Sequence, residues 1–164
     1  MNAGAPGPDG RADSRPPIPG LLIRRSQQAH TAMWALCVQE DLTTPQFAIL
    51  RVLSEGGRVD QTSLGHLAAL DRSNTAEVLA RLERRQLVES RRDEADKRRN
   101  LWSLTAAGTE LYRRAQPAAT VATELLLAPL SREERTEFVR LLDTIVVAAE
   151  RRIEDMQNRN LGVI

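Results

Sequence analysis

The sequence predicts a mainly α-helical chain of about six helices, with one short β-hairpin between the fourth and the fifth. Three observations carry that prediction. Apolar residues recur at helical spacing, as in Phe138, Leu141, Leu142, Ile145 and Val146. Two capping-box spacings, Thr43 to Gln46 and Ser131 to Glu134, mark helix starts. A stretch at 91–99 in which only Ala95 is uncharged separates Leu87-Val88-Glu89 from the alternating Leu101-Trp102-Ser103-Leu104.

Composition bounds the rest. A chain of 164 residues, 41% hydrophobic and 27% charged, is sized for one core-forming domain with appendages. Cys37 is the only cysteine, so neither an intrachain disulfide nor a cysteine metal cluster is available. The first twenty residues hold nine Pro or Gly and lack an apolar h-region, which does not fit a secretory signal. No apolar run approaches the ~20 residues that span a bilayer. These features predict a cytoplasmic chain with no membrane partner.

Residues 1–17 bury too little to offset ordering entropy and are expected to form a flexible tail. The first helix starts near Ile18–Leu21 and runs to about Glu40. The second covers 44–54, with Pro45 in its first turn, where a missing N–H costs nothing; Glu55-Gly56-Gly57 ends it. Asp60 caps a short third helix over 61–70. Asp71-Arg72-Ser73 breaks the pattern, and a fourth helix follows over roughly 73–86. Its expected apolar stripe is Ala76, Leu79 and Leu82 with Val78, which leaves Ser73, Asn74, Thr75, Glu77 and Arg81 facing elsewhere. A fifth helix spans about 105–128, with Pro117 expected to kink or split it. A sixth runs from Ser131 to about Gln157.

Two helices joined by a turn of about three residues, the second polar at its N-terminal end, form a helix-turn-helix layout. A hairpin directly after the second helix is a wing. Net charge is only +1, but residues 81–99 carry eight Lys/Arg against five acids. Arginine suits a narrow minor groove, and polar side chains at a helix N-terminus suit base edges and phosphates. The candidate contacts to double-stranded DNA are Ser73, Asn74, Thr75 and Arg81 on the helix and Arg98 and Arg99 on the wing. Asp96 is expected to hold the Arg98 guanidinium in one rotamer.

Asp96-Lys97-Arg98, five residues, then Leu104-Thr105 and Gly108 fits D-x-R-x5-L-T-x-x-G. On this motif, with Leu42-Thr43-x-x-Gln46-Phe47 and DRSNTAEVLARLERRQLVESRRD, the chain resembles the MarR family of winged-helix regulators over about residues 18–155. One departure stands out: Gln86 occupies the slot after the recognition helix that usually holds Gly. The resemblance implies a homodimer, in which 18–41 and 105–157 form an intertwined helical platform below which 42–104 hang as winged helix-turn-helix units. Two-fold symmetry then predicts a pseudo-palindromic operator with half-sites about one helical turn apart.

Arg24, His30 and Trp34, with Gln27 nearby, supply a bidentate carboxylate partner, a tunable donor and a flat apolar wall. This set suits an aromatic carboxylic acid effector. The stretch Arg24-Arg25-x-Gln27-Gln28-Ala29-His30 resembles family members that repress aromatic-acid catabolism, and the resemblance implies ligand roles for Arg24 and His30. Six residues separate the two, about 120° around a regular helix, so they converge only if Arg24 curls round or comes from the other subunit. The alternative is that the arginines lie along a dimer surface while His30 and Trp34 pack in the interface.

Cys37, among Leu36 and Val38, reads as a buried thiol rather than a redox switch. His66 lacks metal-ligand neighbours. No nucleophile–base constellation, P-loop or dinucleotide fingerprint points to an enzyme or a cofactor. A helical adaptor that does not bind DNA is the remaining alternative.

Overall fold

The structure, a computed structural model, describes residues 18–94 and 96–161; the expected tail at 1–17 lies outside them. Six helices and three short strands follow in the order α1 (Pro19–Cys37), α2 (Thr44–Gly56), β1 (Val59–Asp60), α3 (Gln61–Leu67), α4 (Arg72–Arg84), β2 (Val88–Arg92), β3 (Asn100–Leu104), α5 (Ala106–Leu127) and α6 (Arg132–Leu161). The sheet is antiparallel in the order β1-β3-β2, with Val59 opposite Trp102 and Val88 opposite Leu104.

Local chemistry sets most of the boundaries. The Thr43 side chain accepts from the Gln46 backbone N–H while the Gln46 side chain accepts from Thr43 N–H, so two orphan donors of α2 are satisfied at once. Ser131 and Glu134 exchange the same pair of bonds at the start of α6. Asp60 accepts from Thr62 and Ser63 N–H to start α3, and Asp71 accepts from Asn74 N–H to start α4. Gly57, at φ +70°, closes α2 in the left-handed region where glycine costs least.

Three expectations are corrected. The strand β1 is unforeseen: two residues carry no periodicity, and they pair only because β3 offers an open edge. Pro117 does not split α5, which runs unbroken across it. Packing overrides the lost hydrogen bond, because Leu111 and Ala115 before the proline and Ala119 and Ala122 after it are all buried, while Pro117 itself faces outward. The buried stripe of α4 is Thr75, Leu79 and Leu82, whereas Ala76 is exposed.

The main core joins Leu42, Ile49, Leu50, Leu53, Leu64, Leu79, Leu82, Leu87, Val88 and Trp102 with Leu111 and Ala115 of α5. The first half of α5 therefore belongs to the same core as α2–β3. A smaller cluster of Trp34, Val38 and Ala119 joins α1 to the second half of α5, with Phe47 touching both clusters. Among the described residues α6 has no extended packing partner. It leaves Phe138, Leu141, Leu142, Ile145 and Val146 exposed, and Ile18 just ahead of α1 and Leu21, Leu22 and Ile23 on it are exposed as well. No described helix is long and apolar enough to cross a membrane.

Candidate functional site

The end of the hairpin is tied to the helices around it. The Thr105 hydroxyl donates to the carbonyls of Gln86 (2.7 Å) and Leu87 (3.2 Å) and accepts from Gly108 N–H (3.1 Å) as the cap of α5. A Cβ at Gly108 would lie 1.9 Å from the Leu87 carbonyl oxygen, so only glycine fits there. The Leu-Thr-x-x-Gly run is thus the joint that fixes the hairpin against α4 and α5. Gln86 takes φ +57°, the left-handed turn that glycine would adopt more cheaply.

At the N-terminus of α4, Asp71 organises the polar side chains. Its carboxylate accepts from the Ser73 hydroxyl at 2.7 Å, from Asn74 N–H at 2.9 Å and from the Asn74 side-chain amide. These bonds hold its carboxyl below the usual carboxylate range, the Asn74 backbone N–H contributing most. Ser73 and Asn74 remain exposed and pre-oriented. Arg81, also exposed, pairs with Glu77 one turn earlier on the same helix. Thr75 does not join them, and its assignment as a DNA contact is corrected. It is 1% exposed, its hydroxyl donates to the Asp71 carbonyl at 2.7 Å, and it presses on Gly65 of α3, where a Cβ would meet its Oγ1 at 2.7 Å. Thr75 is a spacer between the two helices of the turn.

The wing tip presents Lys97 and Arg98 to solvent. The expected Asp96–Arg98 side-chain pairing takes another form. The Asp96 carboxylate accepts from Arg98 backbone N–H at 3.0 Å, and its carbonyl accepts from Arg99 N–H at 2.9 Å. Asp96 therefore shapes the turn that projects Arg98, whose guanidinium has no ion-pair partner among the described residues. Arg99 points the other way: its guanidinium meets Asp60 at 2.6 Å, tying the wing to the start of α3. The Ser63 backbone and hydroxyl, with Arg99, lower the Asp60 carboxyl to about 2. Arg58, which lies outside the charged stretch the sequence pointed to, joins Arg91 and Arg92 beside the hairpin, with Asp93 and Glu94 among them.

A second feature lies where α1 and α5 meet α2 and the α3–α4 turn. A cleft of about 400 Å³ is walled by Gln27, His30 and Trp34 of α1, by Phe47 and Arg51 of α2, by Ala68–Leu70, and by Ala119 and Thr123 of α5. That volume lies in the range of small-molecule sites. Trp34 is 7% exposed and its indole N–H donates to the Leu42 carbonyl at 2.8 Å, so it offers a ring face rather than a donor. Phe47 sits against it with centroids 5.0 Å apart. His30 is half-buried at the rim, while Arg24 is exposed on α1 and does not line the cleft. The sequence brought His30 and Trp34 together correctly; it missed Arg51, because nothing in α2 alone says which face meets α1. Cys37 is half-buried at the C-terminal end of α1.

A helix-turn-helix whose second helix feeds directly into an antiparallel hairpin, with arginine at the hairpin tip, defines the winged-helix class of transcriptional regulators. Comparison with known proteins narrows this. The MarR family profile matches residues 42–99. The regulator HosA of Escherichia coli O157:H7 is 38% identical over 120 residues, which are 73% of this chain and 88% of that protein. The chain belongs to the MarR family. PcaV of Streptomyces coelicolor, solved with its natural ligand, superposes with a TM-score of 0.76 at 40% identity, covering 80% of this chain and 93% of PcaV. BpsR of Bordetella bronchiseptica, whose DNA binding is regulated by 6-hydroxynicotinic acid, gives 0.72 at 30% identity, covering 77% of this chain and 97% of BpsR.

Proposed function

We propose that this MarR-type regulator is a homodimeric repressor of an aromatic-acid catabolism operon, released from its operator by a small aromatic carboxylate. The observation that carries the reading is the cleft of His30, Trp34, Phe47 and Arg51 at the junction between α1 and α5 on one side and α2–α4 on the other. A planar ring bound there would wedge the two parts and reset the spacing of paired recognition helices. The regulation of BpsR by 6-hydroxynicotinic acid supports the ligand class. The exposed apolar residues of α1 and α6 support a dimer built from α1, the second half of α5 and α6, below which residues 42–104 reach DNA. In this arrangement Ser73, Asn74 and Arg81 contact bases or phosphates in the major groove and Arg98 enters the flanking minor groove. Arg99 serves the wing from behind, through Asp60. The effector must favour the DNA-incompetent spacing, because equal affinity for both states shifts nothing.

The test has two arms. An operator fragment is first selected from genomic DNA, and its affinity is measured with and without millimolar protocatechuate, hydroxycinnamate or 6-hydroxynicotinate. Release by at least one of these is expected, and no release by any refutes the effector reading. Arg98→Ala should then weaken operator binding by roughly 1–3 kcal/mol without changing thermal stability. Undiminished affinity refutes the wing contact, and absence of any selective, salt-sensitive DNA complex refutes the regulator's operator binding as a whole.

A further inference from the structure

Residues 38–43 carry the chain from α1, which ends at Cys37, to α2, which starts at Thr44. No helix or strand stiffens this connection. Side chains from two different helices hold it instead. The indole N–H of Trp34 on α1 donates to the Leu42 carbonyl at 2.8 Å. The guanidinium of Arg85, at the C-terminal end of α4, donates to the adjacent Asp41 carbonyl at 2.6 Å, across 44 positions of sequence. The Asp41 carboxylate stands farther off, at 3.9 Å, and is fully exposed, so the backbone carbonyl is the acceptor that counts. Consecutive peptide carbonyls thus join α1 to the recognition helix. Leu42, 5% exposed, plugs the same point of the chain into the main core.

Arg85 is one of the eight basic residues of 81–99. Its surroundings separate it from the others. Its side chain is 34% exposed, against 53% for Arg81 and 61% for Arg91. A hydrogen bond from a guanidinium to a carbonyl is charge-assisted and directional. Without it, a short connection with no regular structure is a natural hinge between α1 and the winged unit. Apparent affinity for DNA scales with the fraction of molecules whose recognition helices already stand in the competent orientation.

We propose that Arg85 is a positioning residue for operator binding rather than a DNA contact: with Trp34 it clamps the Asp41-Leu42 segment and so fixes the orientation of α4 relative to α1. This inference goes beyond the effector reading and rests only on operator binding.

The test measures operator affinity of the full chain, on the fragment selected as above, across a salt series. Arg85→Ala should bind roughly 10-fold more weakly than wild type, with the slope of log affinity against log salt unchanged. Arg85→Met, which keeps the apolar stem and removes every donor, should match it. Arg85→Lys, which restores a cationic donor, should recover part of the loss. Trp34→Phe, which lacks the indole N–H, should weaken binding too. The double variant Arg85→Ala with Trp34→Phe should be no weaker than the weaker single variant, because two bonds in series fail only once. Melting curves at matched concentration verify that the variants compared are folded at the assay temperature. Three results each overturn the clamp and leave operator binding standing: undiminished affinity in Arg85→Ala and Arg85→Met, a salt slope shallower by about 1, which marks a lost phosphate contact, or losses that simply add in the double variant. Failure of wild type to form any selective complex overturns both.

Discussion

Replacing Gly108 with alanine sets two physical effects of opposite sign against each other. Gly108 is the third residue of α5, and by intrinsic helix propensity alone alanine there should stabilise the protein by up to about 1 kcal/mol. The structure predicts the reverse. The new Cβ would stand 1.9 Å from the Leu87 carbonyl oxygen and 2.9 Å from its carbon, where real contacts stay above 3.0 Å. The oxygen must retreat by roughly 1 Å. It is backbone, and it also accepts from Thr105 N–H at 3.1 Å and from the Thr105 hydroxyl at 3.2 Å. Overpacking of this kind costs about 1–3 kcal/mol, and each of two weakened hydrogen bonds adds about 0.5–1.5 kcal/mol. After the propensity gain the net loss is about 3 kcal/mol, which for a chain of this size lowers Tm by roughly 6–12 °C. The measurement is a calorimetric melt of both proteins at matched concentration, since association makes Tm concentration-dependent. A variant that melts at or above wild type would refute the close approach of hairpin and helix, and with it the account of the Leu-Thr-x-x-Gly motif.

Thr75→Val should lower Tm by a few degrees, through loss of the bond to the Asp71 carbonyl worth about 1 kcal/mol, yet leave operator affinity within about two-fold; lost affinity at unchanged stability would return Thr75 to the DNA contacts. The Asp60 carboxyl sits at about 2, below its ordinary 3.8, so the unfolded chain binds the proton more readily. Its contribution to stability is therefore fully present above the ordinary value and is lost as pH falls towards about 2. Asp60→Asn should flatten urea-unfolding stability over that window, and an acid limb identical to wild type would contradict the bond network at α3. Leu142→Asp on the apolar stripe of α6 should convert a dimer to a monomer in sedimentation velocity; a wild-type monomer would refute the proposed platform.

What was legible in the sequence was local. Thr43 with Gln46, Ser131 with Glu134, and Asp60 all announce their helices because a cap and its partner lie within one turn. Alternation around Trp102 announces a strand. The α4 face went wrong because hydrophobicity placed Ala76 inside, whereas a threonine whose hydroxyl bonds back to the preceding turn can occupy a core position and leave the alanine outside. Asp96 was given the right neighbourhood and the wrong donor, since side-chain and backbone partners two residues apart look alike in a sequence. Arg99 and Asp60 meet across 39 positions, and β1, which brings them together, is too short to show a pattern. The cleft was half visible. His30 and Trp34 share a helix face, but Arg51 joins them only once α2 has docked against α1 and α5.

The two tryptophans sit in very different places. Trp34 forms a wall of the cleft between α1, α2 and α5, and its indole N–H donates to the Leu42 carbonyl, while Trp102 is buried in β3 among the main core residues. The protein therefore carries its own pair of optical probes. A ligand that stacks in the cleft must quench or shift the emission of Trp34 and leave that of Trp102 as an internal reference. Replacing either one with phenylalanine would separate the signals, so occupancy of the cleft can be followed without a label and in the absence of DNA.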